Sequence, residues 1–204
     1  MIPSQAFVEL PNLPRLMWII SLDEWAHYSQ THIQNQLNHT GFKNKIRLLV
    51  QLRAKEQNAR NYWQLCAWLV PWIQSLGHRV CINDRVDIAL ACFADGVHLP
   101  ETSFDAGFIK QKYPQWIVGQ SYHQVNTLIT RSKNSLIGPD YVTLSPIFNT
   151  ASKPNAKPLG LDVLAYACAH VSWPVFALGG MSVKRMESAF NQGVYGVASM
   201  HAWL

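Results

Sequence analysis

Short apolar runs alternate with amphipathic segments along almost the whole chain. The runs that read as strands are Leu16–Ser21, Ile46–Arg53, Arg79–Asn83, Gly96–Leu99, Trp116–Gln120, Tyr141–Ser145, Pro174–Leu178 and Gly196–Met200. Most are continuously apolar, the pattern of parallel strands buried on both faces. Helical segments fall between them, among them Asp87–Phe93, Ser103–Lys112 and Ser182–Asn191, with Ser103 and Ser182 as expected N-caps. This alternation predicts an α/β fold of the TIM-barrel type. A doubly wound open sheet fits less well, because no GxGxxG follows the first strand. A faint internal echo, Asp95-Gly96-Val97, Asp140-Tyr141-Val142 and Tyr195-Gly196-Val197, marks the entries to three of the strands.

Residues 1–204 are expected to form a single barrel domain. Met1–Arg15, with Pro3, Pro11 and Pro14, reads as an extended lead-in. The chain stops at Leu204, directly after the eighth strand, so the barrel is expected to lack its eighth helix. The apolar flank this leaves needs cover, since large exposed apolar patches are rare on monomers. The expected cover is Met1–Leu13 (through Phe7, Val8 and Leu10), a second subunit in a homodimer, or both.

Composition narrows the function classes. The chain is 49% hydrophobic and only 14% charged, with 8 Trp, 7 Tyr and 8 Phe, which suits one compact core rather than disorder. Its +5 net charge is scattered from Arg15 to Arg185, without the one-sided clustering of a nucleic-acid footprint. A modest positive balance serves small anionic ligands equally well. Cys66, Cys81, Cys92 and Cys168 lack CxxC spacing and lie in apolar surroundings, as buried thiols of a reducing compartment do. No signal peptide or membrane-length apolar run is present, so a cytoplasmic protein with no membrane partner is expected.

In a barrel, chemistry collects where the strands end. Those positions are Gln51, Arg53 and Lys55; Asn83, Asp84 and Arg85; His98; Ser121 and His123; Thr150, Ser152 and Lys153; Gly179 and Gly180; and His201. Gln51 and Arg53 share a face by the period of two and should point into the barrel mouth, where an arginine needs an anion. Thr150, Ser152 and Lys153 lie in a long loop with Pro154, Pro158 and Gly160, a means of holding phosphate oxygens. The Gly179-Gly180 pair lets backbone N–H groups approach an anion at a helix start. His98 sits inside a strand and is expected to be structural. His123, expected to open a helix after Ser121, is the candidate general acid/base. His27, His32, His39, His78 and His170 read as solvated or structural.

These stretches resemble the thiamine phosphate synthase/TenI superfamily over nearly the whole chain. The motifs are VQLRAKE (50–56), INDRVDIALACFADGVHLP (82–100), VGQSYH (118–123), DYVTLSPIFNTASKPNAKPLGL (140–161) and PVFALGGM (174–181). The synthase joins hydroxymethylpyrimidine diphosphate to a thiazole phosphate, with pyrophosphate leaving. The resemblance implies that Gln51, Arg53, Lys55 and Asn83 contact the pyrimidine diphosphate, and that Asp84 ligates magnesium. It places Ser121 beside the pyrimidine and has Thr150, Ser152 and Lys153 hold pyrophosphate. Gly180 would then contact the thiazole phosphate.

Two positions depart from the synthase pattern. A second magnesium-binding aspartate is replaced by Ser103, a poor ligand for a hard cation. The phosphate-binding serine after the eighth strand is replaced by His201. Those departures resemble TenI, a thiazole tautomerase that moves a proton, needs no cofactor and has its acid/base histidine at His123. The tautomerase is therefore the first reading at this point. The alternatives are a magnesium-using thiamine phosphate synthase and a non-catalytic binder of thiamine precursors. All three take phosphorylated thiazole or pyrimidine ligands.

Overall fold

The computed structural model describes residues 13–23, 25, 28–39, 46–152 and 154–200. Strands β1 (Leu16–Ser21), β2 (Leu48–Arg53), β3 (Arg79–Asn83), β4 (Gly96–Leu99), β5 (Ile117–Tyr122), β6 (Tyr141–Leu144), β7 (Val175–Leu178) and β8 (Gly196–Ser199) pair in sequence order. All are parallel, and β8 returns to β1 to close the barrel. Helices α1 (Gln30–His39), α2 (Ala59–Ser75), α3 (Val86–Ala91), α4 (Ala106–Lys112), α5 (Val125–Asn134), α6 (Gly160–His170) and α7 (Val183–Phe190) connect them. The expected TIM-type α/β barrel is thus the observed fold. Among the described residues no helix is long and apolar enough to cross a membrane.

The continuous apolar runs have two burial faces, as parallel strands require. Outward residues such as Val50, Leu52, Val80, Ile82 and Val118 pack beneath the helices. Inward residues Met17, Ile19, Leu49, Cys81, Tyr141, Phe176 and Ala198 fill the barrel, and Leu13 packs against the same cluster. Two aromatic rings in so narrow an interior need small neighbours. A Cβ on Gly119 would lie 2.1 Å from the Tyr141 ring, so only glycine fits opposite it. The cover proposed for the barrel flank rests on Phe7, Val8 and Leu10, which lie outside the described residues.

Part of the internal echo has a physical basis. The Asp95 carboxylate accepts Val80 N–H of β3 at 2.8 Å and pairs with Arg79. The Asp140 carboxylate accepts Val118 N–H of β5 at 2.8 Å and pairs with Lys110 at 2.8 Å. Each aspartate pins the start of the preceding strand of the barrel. Tyr195, the third member, instead donates its hydroxyl to the Leu13 carbonyl at 2.6 Å.

Some expected boundaries move. Ser103 is not the N-cap of α4; Asp105 is, accepting Gly107 N–H at 2.8 Å. Ser182 occupies the N-cap of α7 without a side-chain bond. β5 runs on through Tyr122, so His123 follows a strand end and α5 begins only at Val125. The four cysteines are free thiols, three of them buried. His78 is buried and accepts Leu48 N–H at 3.2 Å, a structural role.

Burial lowers the pKa of His98 from 6.5 to about 3. The unfolded chain therefore takes up a proton first as pH falls. The stability contributed by neutral His98 is complete above about 6.5 and drains away as pH falls toward 3. Replacing His98 with glutamine should flatten this acid limb of a stability-against-pH curve measured by denaturant unfolding. An unchanged slope in the variant would assign the limb to other groups.

Candidate active site at the C-terminal mouth of the barrel

Because all the strands are parallel and the sheet is closed, their C-terminal ends open on one mouth. The expected residues from β2, β3, β5, the β6–α6 loop and the β7–α7 turn therefore share one end of the barrel. Lys153 and His201, two of the expected phosphate ligands, lie outside the described residues.

On β2, Leu49 faces inward, so Gln51 and Arg53 follow it to the mouth by the strand period. Gln51 is buried and donates Nε2–H to Asn83 Oδ1 at 2.7 Å, which joins the ends of β2 and β3. Its Oε1 is buried with no donor among the described residues. A buried carbonyl oxygen without a donor is costly, so Gln51 Oε1 is left needing an N–H partner. The half-buried Arg53 side chain makes no ion pair or hydrogen bond to any other described residue. Lys55 is exposed just beyond it.

After β3 the chain turns through Asp84 at φ 62°, a left-handed conformation that aspartate tolerates. Asp84 N–H donates to the His98 carbonyl at 2.9 Å, which ties the turn to β4. Its Oδ1 accepts the Ser103 hydroxyl at 2.8 Å. Ser103, expected to cap a helix, serves the carboxylate instead. Arg85 is committed to Asp87, and that pairing raises the guanidinium and lowers the carboxyl pKa. It has little left to offer a ligand.

Ser121 is half-buried on β5, between the buried His98 and Thr143. His98 is held at both ring nitrogens inside the barrel, as expected of a structural histidine. His123 is exposed beyond the strand, its Nδ1 2.9 Å from the Ser145 carbonyl and 3.1 Å from the Ser145 hydroxyl. Glu101 Oε2 accepts the His123 backbone N–H at 3.2 Å. Sequence reasoning missed Thr143 and Ser145 as members of the site. Thr143 and Ser145 carry a signal in hindsight, lying two and four residues after the inward Tyr141.

The β6–α6 loop folds back on the β7 turn. Ile147 and Phe148 N–H groups donate to the Leu178 and Gly179 carbonyls at 2.9 and 3.0 Å. Gly179 and Gly180 have φ of 94° and 64°, and the Gly180 carbonyl accepts Arg185 Nη1 at 2.6 Å. Arg185 also lies over the Phe148 ring, 4.6 Å from its centroid. This lacing brings the Thr150–Ser152 hydroxyl pair, 3.1 Å apart, to the same rim as the two glycines and the start of α7. Hydroxyls, backbone N–H groups and a helix N-terminus together suit phosphate oxygens.

The chemistry of the donors also bears on magnesium. Among the described residues no group of three or more His, Cys, Asp or Glu side chains could hold a metal ion. Magnesium does not need one: it is commonly held by one or two carboxylates with substrate phosphates, keeping its waters. The Asp84 carboxylate, with the Ser103 hydroxyl beside it, fits a single protein ligand of that kind.

A family model described as thiamine monophosphate synthase matches residues 30–203. A putative thiamine-phosphate synthase 2 of Aquifex aeolicus is 39% identical over 156 residues, covering 76% of this chain and 82% of that protein. The thiamine-phosphate synthase of Coprothermobacter proteolyticus is 34% identical over 154 residues, 75% of this chain and 72% of that one. The solved thiamine phosphate pyrophosphorylase of Pyrococcus furiosus superposes with a TM-score of 0.72 at 24% identity, covering 91% of this chain and 85% of that one. At that identity the superposition speaks for the barrel alone.

Proposed function

The chain belongs to the thiamine monophosphate synthase family, and we propose that it is a transferase joining hydroxymethylpyrimidine diphosphate to a thiazole phosphate, with release of pyrophosphate. The proposal takes residues 1–204 as one barrel domain. The synthase names of the relatives support this reading ahead of the tautomerase that the sequence placed first, and so does the equipment of the mouth. Proton transfer on an anchored thiazole asks for little beyond His123 and a phosphate cradle. The mouth holds more than that.

The observation that carries the proposal is Arg53, a half-buried guanidinium at the mouth that pairs with no described carboxylate. A half-buried arginine without an internal partner marks the place of an anion. Lys55 beyond it and the Thr150–Ser152 hydroxyls opposite can hold the remaining oxygens of a diphosphate. Gln51 Oε1, lacking a donor, suits the amino group of the pyrimidine. The Gly179-Gly180 turn at the start of α7 is left for the thiazole phosphate.

The residues' work is electrostatic. As the bond from the pyrimidine methylene to the diphosphate oxygen breaks, its electron pair and the developing charge go to the leaving group. Fixed cations and hydroxyl donors stabilise that charge without reorganising. Asp84 would hold magnesium, whose charge would help to neutralise the leaving group.

The test is direct formation of thiamine phosphate from the two substrates with magnesium. The Ser103→Asp variant should reach half-maximal rate at lower magnesium, because a second carboxylate then stands beside Asp84. His123→Gln should leave coupling largely intact. Absent coupling, together with a tautomerase activity that His123→Gln lowers by about 10²–10⁴, would restore the tautomerase.

A further inference from the structure

Below the mouth, a line of hydrogen bonds runs up through the barrel from Tyr141 to Ser121. Tyr141 Oη lies 2.9 Å from His98 Nδ1, and His98 Nε2 lies 2.8 Å from Ser121 Oγ. Thr143 Oγ1 donates to Ser121 Oγ at 3.3 Å. Tyr141 and Thr143 are fully buried, and His98 nearly so. No water competes for these groups, so the direction of each bond is set by the next.

We infer that His98 is a positioning residue that fixes the Ser121 hydroxyl as a hydrogen-bond donor toward the mouth, so that the site selects a ligand with an acceptor there, a pyrimidine ring nitrogen. This rests on the reading of the mouth as a pyrimidine diphosphate site.

The polarity follows from counting protons. Both ring nitrogens of the buried His98 meet hydroxyls and no described carboxylate stands by to balance an imidazolium, so the ring carries one N–H. Tyr141 has one hydroxyl proton and two places to send it, His98 Nδ1 or the neighbouring Cys81 sulfur. Cys81 donates its own proton to the Ile117 carbonyl, with a separation of 3.7 Å. Sulfur is a weak acceptor, whereas an imidazole nitrogen at 2.9 Å is a good one. Tyr141 therefore donates to Nδ1, and the ring proton resides on Nε2. Nε2–H in turn donates to Ser121.

Ser121 Oγ then accepts from both His98 and Thr143, which occupies the two lone pairs of a hydroxyl. Its own proton has no acceptor among the described residues. The ligand supplies one. Ser121 would act as a donor and Gln51 Oε1 as an acceptor, a complementary pair for a ring that carries a nitrogen and an amino group.

Two measurements test this. In protein labelled with ¹⁵N-histidine, the His98 signal (identified by its loss in His98→Gln) should show the Nε2–H tautomer near neutral pH. Calorimetry should show that hydroxymethylpyrimidine diphosphate binds about tenfold or more tighter than its analogue with CH in place of both ring nitrogens. His98→Gln can place an amide N–H near the position of Nε2, so it should keep that preference. His98→Phe, which offers Ser121 no donor, should lose much of it. A merely structural histidine would not divide the two variants by ligand preference. An Nδ1–H tautomer, or equal affinity of the unmodified protein for both compounds, overturns the inference. An Nε2–H tautomer in a protein that binds neither compound upholds the hydrogen-bond polarity and instead defeats the pyrimidine reading.

Discussion

Arg53→Ala should lower kcat/KM for the pyrimidine diphosphate by about 10²–10³, the usual worth of one fixed donor to charge that develops in the transition state. The side chain makes no ion pair or hydrogen bond with described residues, so its loss should leave the melting temperature nearly unchanged. That separation is the point of the test, because a residue needed for folding would lower both together. Lysine at the same position keeps the charge but loses the planar two-pronged donor, and should recover only part of the rate. The binding of thiazole phosphate should change little, since its cradle lies across the mouth at Gly179 and Gly180. Steady-state kinetics of an Arg53→Ala protein indistinguishable from the unmodified one would remove the diphosphate from β2, and the proposed function with it.

Gly180→Ala should act at the other phosphate. A Cβ at this position would stand 2.4 Å from the Asn149 carbonyl oxygen and 2.8 Å from Phe148 Cβ, on a backbone already at φ 64°. Something must shift, and the nearest partner is the backbone of the β6–α6 loop. That loop carries Thr150 and Ser152, so the displacement reaches both elements proposed to bind phosphate at once. Misplacement on the scale of an ångström costs about 10²-fold in rate, and a similar fall in kcat/KM is the expected result. The variant should also melt at a lower temperature, because alanine at positive φ is strained by more than the gain it brings in the unfolded chain. Asparagine tolerates positive φ but still carries a Cβ. Gly180→Asn should therefore fail as alanine does. If asparagine restores activity, the steric account is wrong and backbone strain alone decides.

Much of the fold was legible in the chain. The continuous apolar runs marked all eight strands of the barrel, three of them with the observed limits, because burial on both faces leaves few polar positions inside a strand. The period of two also assigned Gln51 to the inner face, where its amide reaches Asn83. Strand and helix ends were less secure. β5 continues through Tyr122, whose ring is buried on the outer face, and α4 starts at Ala106 because Asp105 rather than Ser103 supplies the cap. Both are decided by what lies alongside, and a local reading cannot see it.

Reading along the chain was enough to place polar and phosphate-binding residue types at the ends of apolar strands and, through its motifs, to relate the chain to its family. Strand period and composition suffice for that, being properties of neighbouring residues. Only the tertiary structure decided how these groups are paired: Ser103 with Asp84, Glu101 with the His123 backbone, Gln51 with Asn83, and Tyr141 through His98 with Ser121. Those partners are 19 to 43 residues apart, and they meet because closure of the sheet fixes the register between strands. The direction of a hydrogen bond, and hence whether Ser121 gives or receives a proton, depends on every partner along that line and on the exclusion of water from the barrel.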